Sequence, residues 1–130
     1  MEAEIGSTKR TLIAKTLLWV AAAAALGAAF SAIPNVADAS PATKVVEAWR
    51  MVGFATFAAL FALLAWRPLG NRSLWAIVLF NKIALVALGV VFLKQGGIKG
   101  VADILVFDGG LVVLLAVAFV LTHVRPSGES

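Results

Sequence analysis

The stretch 73-SLWAIVLFNKIALVALGVVFL-93 is apolar throughout except for Ser73 and the adjacent pair Asn81-Lys82. At about 1.5 Å rise per residue, a helix of that length covers about 30 Å, the thickness of the hydrocarbon core of a bilayer. Backbone groups in hydrocarbon must be paired within the protein, so a spanning segment is a helix or part of a closed barrel. Barrel strands alternate in polarity, and this stretch does not. It predicts a membrane-spanning helix with a lysine inside it.

Three further runs of similar length and character lie on either side, over about residues 11–33, 45–66 and 101–122. A polar segment, residues 1–10, precedes them and a polar tail, 123–130, follows. The links are read from turn-forming residues: Pro34 through Thr43, then Arg67-Pro68-Leu69-Gly70-Asn71-Arg72, then Lys94-Gln95-Gly96-Gly97. Short links make successive helices antiparallel neighbours. The predicted fold is therefore all-α, an integral membrane four-helix up-down bundle. Lys9-Arg10, the long first run and Ala37-Asp38-Ala39 also have the ingredients of a cleavable signal peptide. The run exceeds the usual signal core of about 7–15 residues, which favours a retained helix.

Composition agrees. The 130 residues are 62% hydrophobic and 14% charged, against about 45–50% apolar in a soluble domain. The chain has no cysteine and one histidine, His123, which argues against disulfides, thiolate chemistry and a histidine-built metal site. The net charge of +4 comes from basic residues scattered near the ends of the apolar runs. That placement suits lipid headgroups and not nucleic acid. Lys9, Arg10, Lys15, Arg67, Arg72 and Arg125 fall on one side, and Lys44, Arg50, Lys94 and Lys99 on the other. The excess places both termini in the cytoplasm of a multi-pass cell-membrane protein.

An ionised side chain within a bilayer costs about 2.5–3.5 kcal/mol on insertion scales, so it needs a partner or water. Lys82, Asp108 and Arg50 lie inside the runs. From the non-cytoplasmic face their depths are roughly 18, 10 and 8 Å at the helical rise. The lysine stem spans about 6 Å and reaches toward Asp108. A ligand-binding patch of Arg50, Lys82 and Asp108, with Glu47 and Asn81 beside it, is the candidate site. Glu47, Arg50, Phe54, Phe57 and Phe61 share one helical face, a polar mouth above an aromatic wall suited to a flat apolar molecule. The plainer alternatives are that the phenylalanines fill the core and that Asp108 only neutralises a cation. Asp103, about 140° around the helix from Asp108, is expected in solvent. Gly109-Gly110 are expected to let another backbone come close, and the alanine-rich 21–29 stretch to pack tightly. Trp19, Trp49, Trp66 and Trp75 read as interfacial anchors. His123 sits at the boundary with no role assigned. No nucleophile–base pair, metal-ligand cluster or dinucleotide fingerprint occurs.

Trp49-Arg50…Gly53, the Arg67-Pro68-Leu69-Gly70 link and Asp108-Gly109-Gly110, over about residues 45–122, together resemble the DoxX-like group of small four-helix membrane proteins. The resemblance implies a redox-complex accessory role or quinone-linked chemistry, with Arg50 and Asp108 as pocket residues. The reading with the widest support is a small membrane protein whose charged pocket holds the polar head of a lipid-like or quinone-like molecule. Open alternatives are a proton- or ion-coupled transporter using Lys82 and Asp108, as a single chain or a homo-oligomer, and a structural subunit of a larger complex docking through the first helix. A membrane isomerase or cyclase using Asp108 as acid is the fourth.

Overall fold

The computed structural model describes residues 2–124; Arg125, Pro126 and the rest of the tail counted above lie outside them. The chain forms α1 (Glu2–Ser31), α2 (Ile33–Asp38), α3 (Lys44–Trp66), α4 (Arg72–Gln95) and α5 (Val101–His123). α1 and α2 act as one apolar span, Gly6–Asp38, and α3, α4 and α5 supply the other three. All four are long and apolar enough to cross a bilayer, and the chain is a multi-pass membrane protein.

The first link differs from expectation. The irregular segment predicted from Pro34 to Thr43 is helical as far as Asp38 and shrinks to Ala39–Thr43. Pro34 has no N–H, which breaks the ladder near Ser31, and the Ala32 N–H is shared between the Ala28 and Ala29 carbonyls at 3.0 and 3.2 Å. The helix then restarts with the proline in its first turn, where a missing donor costs nothing. The second link is tied internally: Asn71 Nδ2 donates to the Arg67 carbonyl at 2.8 Å and Trp75 Nε1 to the Pro68 carbonyl at 2.9 Å. In the third, Gly96, Gly97 and Gly100 have φ of 77°, 73° and 86°, a left-handed run that stops α4 and starts α5.

The helices form a four-membered ring. α1 packs between α3 and α5, and α4 packs on α5. The α3 and α4 backbones approach each other much less closely, and the backbones of the diagonal pairs do not come within 8 Å. Buried Ala14, Leu18, Ala21, Ala22, Ala25, Ala29 and Ala32 make the inner face of the first span. Their small side chains bring its backbone close to both neighbours, which replaces the hydrophobic drive that lipid does not provide. Phe61, Leu64, Val78, Leu111, Leu115 and Ala118 complete the core, while Trp49, Phe80 and Val106 stand three-quarters exposed on the outside. Such an apolar exterior suits lipid and not water.

At one end, which we call the terminal end, α1 begins and α5 finishes. There Arg10 Nη2 donates to the carbonyls of Val120 and Val124 at 3.0 and 2.8 Å. It caps the end of α5, joining the Val124 N–H on the Val120 carbonyl, and favours the helix's negative dipole. The tight glycine contact falls at Gly89, which side chains of α5 meet: a Cβ there would lie 2.9 Å from Leu105 Cδ2 and 3.4 Å from Ile104 Cγ2. Gly109 and Gly110, expected to let another backbone come close, have nothing within 4 Å of an added Cβ. Gly89→Val is expected to lower stability by about 1–3 kcal/mol through overpacking. In detergent its melting temperature should drop, whereas Gly110→Ala should melt no lower than the parent.

Candidate functional site

Trp75, Val78, Lys82 and Gly89 are the buried positions of α4. Their spacings of three, four and seven define one stripe, so the lysine is carried inward with the core. On α5 the same spacing runs from Asp108 through the buried Leu111, Leu115 and Ala118. Because α4 and α5 are antiparallel neighbours, the two charges meet. Lys82 Nζ lies 2.8 Å from Asp108 Oδ1, with the side chains 7% and 14% exposed. That is a charge-assisted hydrogen bond at ideal length. The ammonium also sits 4.1 Å from the centre of the Phe57 ring, so α3 contributes a cation–π face.

The other predicted residues divide. Asn81 lies beside Lys82, and its Oδ1 is buried without a hydrogen-bond partner. Arg50 does not join the lysine and aspartate. It is half exposed, 3.9 Å from Glu47 on its own helix and over the Phe54 ring at 5.3 Å. The reason is topological: α3 and α5 are diagonal in the ring and their backbones do not come close, so the guanidinium and the Asp108 carboxylate are held apart although their depths are similar. Glu47 Oε2 is likewise buried without a hydrogen bond, because 3.9 Å exceeds hydrogen-bonding range. Arg50 and Glu47 thus stand nearer the start of α3, about seven to ten residues or 10–15 Å along it from Phe57. Phe57 and Phe61 face inward with ring centroids 5.7 Å apart, and Asp103 is exposed.

Trp75 overturns its reading as an interfacial anchor. It is 1% exposed, whereas Trp19, Trp49 and Trp66 are at least half exposed. Its indole donates to the Pro68 carbonyl and packs edge-on against Phe119 and His123, with centroids at 5.5 and 5.7 Å. The clue was available, since Trp75 stands on the same α4 stripe as Lys82. His123 stacks on Phe119 at 4.3 Å. Its Nδ1 lies 2.7 Å from the Thr122 hydroxyl, and its Nε2 is buried with no partner. The Arg10 cap was also missed, because a residue counted as one more basic flank carries no sequence sign of the carbonyls it reaches.

The fold and centre define a class: a small four-helix membrane protein with an intramembrane lysine–aspartate pair. Beyond that class, no family model, curated protein or solved structure matches the chain.

The pair makes a stability test. Lys82→Met leaves the Asp108 carboxylate buried and alone and should cost about 3–5 kcal/mol. The double variant Lys82→Met/Asp108→Leu removes both charges and should regain most of that loss, since apolar replacements of buried pairs are often neutral. Denaturant titration of the purified protein in micelles reads both changes.

Proposed function

We propose that this chain is a small-ligand-binding or accessory protein of the cell membrane, with both termini in the cytoplasm. In this reading the Lys82–Asp108 centre holds the polar head of a lipid-like or quinone-like molecule that enters along the seam between α3 and α4. The observation that carries the reading is unused hydrogen-bonding capacity beside a buried ion pair. Lys82 has three donors and one carboxylate partner, while the neighbouring Asn81 Oδ1 is buried and unpaired. A carbonyl on the ligand accepts from the lysine, and a ligand hydroxyl donates to the asparagine.

The seam suits such a guest. α3 and α4 are the neighbours whose backbones stand furthest apart. On α4, Trp75, Ala76 and Leu79 flank a groove toward α5, so Asn81 falls on the opposite flank, toward α3, by the helical period. Glu47 and Arg50 form a polar mouth, and Phe54 and Phe57 an aromatic wall below it. The DoxX-like layout favours a quinone as ligand and a redox-complex accessory role.

Native mass spectrometry of the protein released from lipid discs tests this. The wild-type chain should retain a small molecule of quinone or lipid mass. Asn81→Leu should lose it without loss of stability, because an unpaired buried amide costs about 1–3 kcal/mol and its removal relieves that cost. Asp108→Asn should weaken retention more than it weakens the fold. A wild-type chain free of bound molecules, or Asn81→Leu retaining the guest, would leave the pair an architectural device.

The orientation has its own test, made simple by a chain without cysteine. Ser7 and Ser40 are exposed at opposite ends of the first span. In intact cells a membrane-impermeant maleimide should label Ser40→Cys and spare Ser7→Cys. The reverse pattern would invert the topology.

A further inference from the structure

A concave feature separate from the lysine–aspartate pair opens at the terminal end between α4 and α5. It is a groove of about 290 Å³ lined by Arg72, Trp75, Ala76, Leu79, Phe119 and His123. Its composition is graded. Leu79, Ala76 and Phe119 make an apolar floor toward the bilayer centre, and Arg72 and His123 are the polar groups at its outer end. Arg72 opens α4 and His123 closes α5, so both stand where a spanning bundle meets lipid headgroups.

His123 is unlike an ordinary boundary histidine. Its ring is clamped face-on by Phe119 and edge-on by Trp75, and Nδ1 is engaged by the Thr122 hydroxyl. Nε2 is left buried with no hydrogen bond, an arrangement that costs free energy unless something else fills it. Trp75 in turn is fixed by Pro68, so the groove wall is rigid before any ligand arrives. Among the described residues no acidic side chain lines the groove, and Arg72 supplies its positive charge.

We propose that this groove is a binding site for the phosphate group of an anionic phospholipid. The Arg72 guanidinium donates to phosphate oxygens in the paired geometry that suits it. His123 donates to another as the imidazolium, from Nε2–H, while its Nδ1–H goes to the Thr122 hydroxyl, whose own proton is given to the Ala118 and Phe119 carbonyls. One acyl chain lies along Phe119, Ala76 and Leu79. A lipid is preferred over a free anion because the groove joins an apolar floor to two polar donors, and because Arg67 over Trp66 and Arg10 at the end of α5 make the same end basic.

Trp75 supplies the reporter. The full chain carrying Trp19→Phe, Trp49→Phe and Trp66→Phe keeps one indole, inside this groove. Reconstituted in phosphatidylcholine vesicles, it is titrated with brominated phosphatidylglycerol, and separately with brominated phosphatidylcholine as the zwitterionic control. The expected result is quenching by the anionic lipid at a severalfold lower mole fraction than by the control. Arg72→Gln and His123→Phe should each abolish most of that preference, since a hydrogen bond to a charged group is worth about tenfold or more in affinity. His123→Phe retains the stacking on Phe119, and an unchanged helical circular dichroism spectrum confirms that it folds. Equal quenching by the two lipids overturns the proposal, as does a preference unaltered in both folded variants. Relief of quenching by inorganic phosphate would assign the groove to a free anion and overturn the lipid assignment.

Discussion

A lysine placed near the middle of a hydrocarbon slab must find its counter-charge, and this bundle is arranged so that it does. Separate helices carry the two groups, and only the antiparallel α4–α5 pairing brings Lys82 Nζ and Asp108 Oδ1 to 2.8 Å. The pair therefore fixes rotation and register at once. Turning α4 by half a turn would present the ammonium to lipid, at a cost of about 2.5–3.5 kcal/mol or more. Phe57 closes the site from α3, so three of the four spans are referenced to one charge. Among the described residues no hydrogen bond or ion pair ties the first span to the pair. Its alanine face instead sets how closely α3 and α5 can draw in, and Arg10 locks it to the end of α5.

Packing around the ring is uneven, and the unevenness has a chemical correlate. Small residues bring α1 against α3 and α5, and Gly89 brings α4 against Leu105 of α5. Between α3 and α4 the facing side chains are large, with Phe57 and Phe61 on one side and Lys82 on the other. Aromatic rings hold backbones apart, and the most widely spaced neighbours are consequently the ones beside the charged centre. The unpaired Asn81 and Glu47 oxygens lie on these same two helices.

The four spans were legible because about 20 apolar residues between turn signals leave a chain in water few alternatives. Lys82 and Asp108 were legible as partners because depth along a helix follows from residue number alone. Arg50 was not separable from them that way: depth says nothing about which helices are diagonal, and the ring order set that. Trp75 was misassigned because tryptophans near span ends usually mark the interface, although its place on the Lys82 stripe pointed inward. Gly109-Gly110 drew attention as a pair, yet the close contact belongs to the isolated Gly89, since what matters is the direction a glycine faces. Pro34 was rightly read as a break, but the chain beyond it kept its helical conformation because a proline in a first turn is no obstacle.

Exchanging the charges tests the central claim most directly. Lys82→Asp and Asp108→Lys each place two like charges at one buried point, and the double exchange restores an opposite pair. If the two side chains face each other in the membrane, each single variant should fail to accumulate as folded protein, and the exchanged protein should recover a substantial part of the wild-type level. A double variant no better than its worse parent would contradict the pairing on which the bundle has been built.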